Sequence, residues 1–530
     1  MKRYYKVFSV VLVLVFLFAG CKKGTSGQIF RYDITANPTT FDPQLASSKE
    51  ELMIVENSFE GLLRRGKDGE LLAGVAQRWE ISEDQKTYTF YLRENAKWSD
   101  EETPVTAHDF VFALRRLMDP QTGAPSAQSF LCLQNASEVL SGELSPELIG
   151  VQAPDDYTLV IHLDYANPLF EELLTSAAAM PCNEKFFQDQ KGKYGVTIKN
   201  SLFNGPFAVT TWDPQKYVVL RANRGYQSET PSVAGGMTLY LQDDTANTSQ
   251  RLLNGDTDLA PLTFEEVGQL QDRVQVHQFQ DTVWTIQFNP ENSLFQNSSL
   301  RRGIAHSLDL SELNSSMVQN EQTAFGIVPS AVTLSGNSYR ELAADKLKSA
   351  FDEAAALDQF RSGLEQLEVS RLPKVTLLVP NQSNLPLLAG MLQEQWQNRL
   401  GAYINIESLS MEEMDSRIRS QNYDMALVPM SATYNSPASV LENFASEQTL
   451  WAGSDRTIFE QLLKDASLAG SMEEMVECYV RAEQMILDLA PAIPVFFETS
   501  YYGVGKQVQQ VILSPFSYRA FFKYAQKPAE

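Results

Sequence analysis

The segment from Lys374 to Met430 repeats one pattern, in which a short apolar run is followed by a helical one. It contains KVTLLVP (374–380), LPLLAGMLQEQWQNRLG (385–401), YINIESL (403–409), MEEMDSRIRSQ (411–421) and DMALVPM (424–430). Strand-length apolar runs that alternate with helix-length segments are typical of a parallel sheet with crossover helices. Ligands of such sheets bind beyond the carboxyl ends of the strands. The segment therefore predicts an α/β fold and puts a candidate site just after Met430.

The first half of the chain has a different character, with short strands and turns that indicate an α+β arrangement. Residues 61–93 alternate apolar and polar side chains around a polar turn, which predicts a hairpin. The following segment TPVTAHDFVFALRRLMDP (103–120) predicts a helix that begins at the N-cap Thr106. Asp109, three residues further on, is its capping-box partner.

Composition and net charge limit the classes of protein to which the chain can belong. The chain has 530 residues, of which 43% are hydrophobic, and such a chain can bury a large core. Its formal net charge of -23 comes from 66 acidic and 43 basic side chains. This charge repels a phosphate backbone, and no basic tract is present to bind one. We therefore expect a globular protein that does not bind nucleic acid.

The N-terminus has the pattern of a bacterial secretion signal. Basic residues precede an apolar run from Val7 to Ala19, which reaches only about 20 Å as a helix and is too short to span a bilayer of roughly 30 Å. The end of this run, LFAGC, resembles the lipobox of bacterial lipoproteins, although Phe18 stands where leucine is usual. We expect residues 1–20 to be a lipoprotein signal peptide, Cys21 to be lipid-modified, and residues 21–27 to form a tether. The alternative is an ordinary cleaved signal with a coincidental cysteine.

The sequence lacks the motifs of the common enzyme classes. It contains no G-x-S-x-G, no H-E-x-x-H, no P-loop and no G-x-G-x-x-G. The histidines are scattered, and Cys132, Cys182 and Cys478 have no CxxC spacing. We expect no catalytic residue, no metal and no cofactor, with an extracytoplasmic hydrolase as a minor alternative. A disulfide between Cys132 and Cys182 is left open.

Over about 500 residues the chain resembles the solute-binding proteins of bacterial peptide and nickel ABC importers. The resemblance is carried, in the family's order, by DITANPTTFDPQLASS (33–48), FEGLL (59–63), WSD..TPVTAHDF (98–110), NGPF (204–207), SLRRGIAHSLD (299–309) and YDMALVP (423–429). It implies an α/β two-lobed periplasmic-binding-protein-like fold, of type II and of the large three-domain variety, with an inserted α+β domain. By the same resemblance FEGLL is expected to be a helix.

The resemblance also implies how the chain is divided. Lobe I is expected from 28–59, 189–281 and 498–530, the inserted domain from 60–188, and lobe II from 282–497. The positions where the chain passes between the lobes are the expected hinges. Closure of the two lobes over a solute would explain the missing catalytic groups, because selective binding needs burial and hydrogen bonds and no reactive residue.

Members of this family hold a peptide between the lobes as an added strand, a mode in which backbone pairing supplies affinity. By the flanking motifs, the segments that would do this are Ser47-Ser48-Lys49 and Met430-Ser431-Ala432-Thr433. Tyr434 and Asn435, which follow directly, and the aromatic Trp284 complete the set of candidate ligand-binding residues. For Trp284 and Tyr434 the alternative is core packing.

One departure from the family bears on the ligand. Many peptide-binding members have an aspartate that pairs with the α-ammonium group of the ligand, and this chain has Thr433 at that position. Losing a charge-assisted hydrogen bond of about 1.5–3 kcal/mol weakens binding roughly ten- to over a hundred-fold. Three hypotheses follow. Another carboxylate such as Glu442 reaches the site, the amine is bound in another register, or the ligand is not a peptide with a free amine.

The resemblance therefore implies a lipid-anchored, extracytoplasmic receptor that captures oligopeptides and delivers them to an ABC permease and its ATPases. A monomer is expected. The alternatives are the same receptor for a different solute, such as a sugar or a nickel complex, and a surface lipoprotein for sensing, adhesion or chaperoning that is not coupled to import.

Overall fold

The computed structural model describes residues 27–528 except 67–69, 168, 229–231, 243–246, 271, 318–320, 335–336, 433, 447–448, 470 and 517–519. The expected signal peptide, Cys21 and Thr433 therefore lie outside the described residues. In the described part of the chain, no helix has the length and apolar character needed to cross a membrane.

The strands of the described chain fall into one large sheet and several small ones. They are β1 (Ile29–Ile34), β2 (Leu63–Arg65), β3 (Leu71–Ala73), β4 (Ala76–Ile81), β5 (Thr87–Leu92), β6 (Val151–Asp155), β7 (Thr158–His162), β8 (Phe207–Asp213), β9 (Tyr217–Ala222), β10 (Gly236–Leu241), β11 (Leu259–Leu262), β12 (Val274–Phe288), β13 (Glu321–Thr323), β14 (Thr333–Leu334), β15 (Asn337–Ser338), β16 (Val375–Pro380), β17 (Ile404–Leu409), β18 (Met425–Ser431), β19 (Ala492–Gly505), β20 (Ile512–Leu513) and β21 (Ala520–Phe521).

The described residues form sixteen α-helices. They are α1 (Lys49–Ser58), α2 (Ala107–Met118), α3 (Ala136–Leu140), α4 (Phe170–Leu173), α5 (Glu184–Asp189), α6 (Thr248–Asn254), α7 (Phe264–Leu270), α8 (Ser293–Gln296), α9 (Ser298–His306), α10 (Tyr339–Ala343), α11 (Glu353–Gln366), α12 (Leu385–Leu400), α13 (Met411–Arg419), α14 (Ala438–Leu441), α15 (Asp455–Leu468) and α16 (Met472–Leu489).

The large sheet runs in the order β17-β16-β18-β12-β19-β11-β1-β10-β9-β8, and β13 adds to β19. The strands β16, β17 and β18 are parallel to one another, as the alternating pattern predicts. Their crossover helix α12 ends at Gly401, which adopts the left-handed conformation that glycine allows without strain. In the other half of the sheet, β1 is parallel to both β10 and β11.

Two long antiparallel strands, β12 and β19, join the two halves of this sheet. Their pairing contains two register shifts, one between Gln280 and Thr282 and the other between Trp284 and Thr285. The expected lobe boundaries after residues 281 and 497 fall inside these strands. The assignment of the three domains stays a prediction.

The predicted hairpin and the predicted first long helix are both present. Strands β4 and β5 pair in antiparallel fashion within a four-stranded sheet of order β4-β5-β7-β6. Helix α2 begins after Thr106, and its capping box with Asp109 is formed. Helix and sheet lie within 60–188, the range expected for the inserted α+β domain.

The expectation of a helix at FEGLL is wrong, because α1 ends at Ser58 and Phe59 has the extended conformation. Asn204 accounts for this difference. Its side chain accepts a hydrogen bond from the N–H of Glu60 at 3.1 Å and donates one to the carbonyl oxygen of Glu60 at 2.8 Å. Both backbone groups of Glu60 are thus bonded to a residue that is distant in the sequence, which holds the segment extended.

Most buried apolar side chains of the described chain belong to two clusters. One, including Trp396, packs against the parallel strands of the second half. The other, including Trp98, extends from the first half into later segments and also contains Tyr434 and Tyr479. The three described cysteines, Cys132, Cys182 and Cys478, are unpaired thiols. The disulfide left open above is therefore absent between these residues.

Candidate ligand cleft at the crossing strands

A cavity of about 630 Å³ lies where parallel strands of the two halves end. The described residues that line it are Tyr32, Asp33, Ile34, Thr35, Lys49, Glu50, Met53, Pro261, Leu262, Thr263, Phe264, Glu265, Ser383, Glu498, Thr499, Ser500, Tyr501 and Tyr502. They include the carboxyl ends of β1 and β11 and the loop that follows β16. Ligand sites of α/β sheets occur at such strand ends, and roughly 300–1,000 Å³ is their usual volume.

A larger cavity of about 1270 Å³ adjoins the crossing strands from the other face. It is lined by Gln278 and Gln280 of β12, whereas Glu498 and Ser500 of β19 line only the smaller cavity. Lys49 lines the smaller cavity, and no candidate residue is among the described lining of the larger one. We therefore take the smaller cavity as the candidate ligand cleft.

Hydroxyl groups join the crossing strands to the end of β18. Thr282 pairs with Ser431 on one side and with Glu498 on the other. The hydroxyl oxygens of Thr282 and Ser431 are 2.9 Å apart. Asp281, at the first register shift, accepts hydrogen bonds from the hydroxyl groups of Thr282 and Ser500. This network fixes the end of β18 against both crossing strands.

Trp284 connects the apolar core to the cleft. Its side chain is only 7% exposed and stacks on Phe496, with the ring centroids 5.8 Å apart. The indole Nε1 donates a hydrogen bond to Oε2 of Glu498 at 2.7 Å. Burial raises the pKa of Glu498, against the opposing effects of this hydrogen bond and of the charge on Lys49. Trp284 thus packs in the core and orients a carboxylate that lines the cavity.

The segment from Ser47 to Lys49 begins helix α1. Ser48 is the N-cap, and the N–H groups of Ser47 and Ser48 both donate to Oε2 of Glu51 at 3.1 Å. Burial alone would raise the pKa of Glu51, but these bonds and those from Thr39 outweigh it and lower the pKa. The two N–H groups are therefore occupied in this structure, and Lys49 is the member of the segment that reaches the cavity.

The segment after β18 splits into two environments. Met430 and Ser431 pair with Val283 and Thr282 of β12 and are half-buried. Ala432 is buried. Beyond Thr433, which is not described, the next two side chains have hydrogen-bond partners outside the crossing strands.

These two residues are Tyr434 and Asn435. The hydroxyl of Tyr434, a buried residue, donates to Oε2 of Glu442 at 3.0 Å. Burial raises the pKa of Glu442 to about 7, although hydrogen bonds from Tyr434 and Ser129 oppose the shift. Asn435 accepts a hydrogen bond from the N–H of Thr333 at 2.8 Å. Both side chains already have protein partners here, and their contact with a ligand stays a prediction.

The structure thus brings Lys49, Trp284 and Ser431 together around Glu498 and Thr282. The sequence analysis missed Glu498, which stands at the expected passage between lobe II and lobe I. That position was the available signal, because residues where the chain is expected to pass between the lobes are candidates for the space between them. Among the described residues, no group of three or more His, Cys, Asp or Glu side chains is arranged to hold a metal ion.

The profile of the bacterial extracellular solute-binding proteins, family 5, matches residues 70–450 of the chain. The chain belongs to this family. The match covers more than half of the sequence, including the four-stranded sheet, β12 and the parallel strands. It agrees with the resemblance found in the motifs and with the absence of a recognisable catalytic motif.

Relatives extend the similarity to the whole chain. The dipeptide-binding protein DppE of Bacillus subtilis (strain 168) is 28% identical over 541 aligned residues, which cover 98% of each chain. A probable deoxycholate-binding periplasmic protein of Escherichia coli (strain K12), YgiS, is 24% identical over 89% of this chain and 88% of its own.

Among solved structures, OppA of Listeria monocytogenes bound to peptide has the same fold. It superposes with a TM-score of 0.80 at 24% identity and covers 95% of this chain and 100% of its own. The protein therefore has the two-lobed type II fold with an inserted α+β domain that the motifs imply.

Proposed function

We propose that the protein is the substrate-binding component of an ABC importer, and that it captures oligopeptides between two lobes and delivers them to a membrane permease. The observation that carries this proposal is the 630 Å³ cavity at the strand ends, beside the crossing strands β12 and β19. Its position matches the site that an α/β sheet offers to a ligand. The relative that aligns over 98% of both chains is named a dipeptide-binding protein, and this supports peptides as the solute.

The proposed mechanism is binding by closure. The chain passes between the two halves through β12 and β19, so a change of angle in these strands would open or close the cavity. Closure would remove the solute from water and strengthen its hydrogen bonds with cavity-lining groups such as the hydroxyls of Thr263 and Ser500. The solute leaves unchanged, so no catalytic residue is required.

The proposal includes the location of the protein. A lipid-modified Cys21 would hold it at the outer face of the cell membrane, since two or more acyl chains give a stable attachment. Residues 22–27 would then separate the anchor from β1. A monomer satisfies this function, because the cavity is formed within one chain.

A second candidate function is the same receptor for a solute that is not a peptide. The observation that favours it is the similarity to a protein named for deoxycholate, together with Thr433 in place of the amine-binding aspartate. A steroid acid needs an apolar surface and a partner for its carboxylate. Among the described lining residues, Lys49 supplies a cationic side chain.

The deciding experiment is denaturing mass spectrometry of the solutes that co-purify with the full chain, followed by calorimetry with each solute found. Short peptides that bind again to the emptied protein would support the proposal. A purified protein that ignores peptide mixtures but binds a bile acid, a sugar or a nickel complex would refute peptide capture and leave the receptor fold in place.

A further inference from the structure

We propose that the cleft selects solutes that carry a positive charge, and that the carboxylate of Glu498 is the group that receives it. The inference rests on the proposed function and names the class of peptide: one whose α-ammonium group, lysine or arginine side chain reaches β19. Glu498 lines the cavity at the point where the chain crosses between the two halves of the sheet.

The orientation of Glu498 is fixed by its surroundings. Oε2 accepts the hydrogen bond of Trp284 at 2.7 Å, and Trp284 is itself held by its stack on Phe496. Lys49 acts on Glu498 through its charge, but no lysine or arginine of the described chain lies within 4 Å of this carboxylate. A buried carboxylate usually has a cationic partner or several hydrogen bonds, because removing a charge from water is costly. Glu498 has one described donor, so it can accept further hydrogen bonds from a ligand.

The charges around Glu498 have one predominant sign. Four acidic residues line the cavity, namely Asp33, Glu50, Glu265 and Glu498, whereas Lys49 is its one basic residue in the described lining. Asp33 is neutralised by Arg251, whose Nε donates to it at 2.8 Å. The remaining charges still favour a cation over an anion.

The register of the neighbouring strand adds a second carboxylate to the same place. Glu321 of β13 lies directly opposite Glu498 of β19. Like charges in this arrangement destabilise a strand pair. The carboxylate of Glu321 accepts a hydrogen bond from Asn384, which adjoins the cavity residue Ser383. The register places this second carboxylate next to Glu498, and an ammonium or guanidinium group near Glu498 would be attracted by both, which favours a cationic ligand over a neutral one.

Glu442, which the sequence analysis names as a possible replacement for the missing aspartate, is less suited to binding an amine. Its carboxylate already accepts hydrogen bonds from Tyr434 and Ser129. It does not appear in the described lining of the cavity. Glu498 therefore replaces the missing acid from a different strand, and Thr433 is compatible with capture of an amine.

The test measures binding of matched pools of short peptides to the full chain by calorimetry. In every peptide of a pool, one position is either lysine or its uncharged analogue norleucine. The N-terminus of the peptides is either free or acetylated. The variants are Glu498→Gln, which keeps an oxygen for Trp284, and Glu365→Gln, which removes a charge from an exposed position of α11. The acetylated norleucine pool shows whether each variant is folded and competent to bind.

The expected result is that the native protein and Glu365→Gln bind a charged pool about ten- to a hundred-fold more tightly than the acetylated norleucine pool, as for one charge-assisted hydrogen bond. In Glu498→Gln this preference, taken as the ratio of the affinities of the same variant for the charged and the uncharged pool, falls to a few-fold. If acetylation of the N-terminus abolishes the preference, the cation that Glu498 receives is the α-ammonium group. If replacement of lysine by norleucine abolishes it, the cation is the side chain.

Two outcomes overturn the inference. If peptides bind but charge has no effect, or if Glu498→Gln keeps the preference, Glu498 does not receive the cation and peptide capture survives. If no pool binds the native protein, the proposed function fails and the inference falls with it.

Discussion

Glu483 and Glu498 are carboxylates in the same C-terminal segment, yet their surroundings differ. Glu483 on α16 is fully buried and accepts hydrogen bonds from the N–H groups of Ile327 and Val328, the hydroxyl of Tyr339 and the guanidinium of Arg340. Glu498 lines a cavity and has one described donor, Trp284. A carboxylate whose acceptor positions are filled by the protein stabilises a fold, whereas one that faces a cavity with few partners can bind a solute.

The largest expected effect is on stability, from Glu483→Ala. This change leaves Arg340 without its partner and three other donors without an acceptor, which should lower the free energy of unfolding by about 3–5 kcal/mol. Urea denaturation measures the loss. The matched control is Glu477→Ala on the same helix, where the exposed carboxylate is 4.0 Å from Lys346 and should contribute less than about 1 kcal/mol. Equal losses in the two variants would refute the contrast.

Glu442 is intermediate between Glu483 and Glu498 in the number of its described hydrogen-bond donors, which are Tyr434 and Ser129. Its contribution to the free energy of unfolding should depend on pH. Because burial raises its pKa from 4.5 to about 7, the folded state keeps the proton longer than the unfolded state does. The free energy of unfolding therefore falls as the pH rises through this window. Glu442→Gln removes the titration, so its stability relative to the native protein should rise by about 1–3 kcal/mol between about pH 4 and pH 8. Parallel curves for the two proteins would contradict this assignment.

The smallest expected effect concerns the single hydrogen bond to Glu498. Trp284→Phe removes the indole donor but also changes the packing against Phe496. A double-mutant cycle with Glu498→Ala separates the two contributions. We expect a coupling energy of about 1 kcal/mol in denaturant unfolding. A coupling near zero would mean that Trp284 does not orient the carboxylate.

Local sequence patterns were sufficient to predict much of the fold. The alternation between 374 and 430 predicted three strands and two helices, because apolar periodicity and the stop at Gly401 are properties of neighbouring residues. The capping box of Thr106 was readable for the same reason. FEGLL was misread because Asn204, far away in the sequence, bonds both backbone groups of Glu60.

The cleft was predictable only in part. The motifs led to Lys49, Trp284 and Ser431, which the structure brings together, but the cavity is formed by segments around residues 33, 262 and 499 that no local pattern connects. Ser47 and Ser48 looked available for a ligand because the sequence does not show that Glu51 accepts their N–H groups. Glu498 could be recognised only once the pairing of β12, β13 and β19 was known.

The two register shifts between β12 and β19 compensate each other. Asp281 is an unpaired residue of β12 at the first shift, and Val495 is an unpaired residue of β19 at the second. The two strands therefore span the same number of residues across this interval, from Gln280 to Thr285 and from Thr499 to Pro494. The three pairs between the shifts are thus out of phase with the ladder on either side, and a slip of one residue exchanges the faces of a strand. This short interval can turn Glu498 toward the cleft, with the indole of Trp284 packed behind it, while each half of the sheet keeps the alternation that its own core requires.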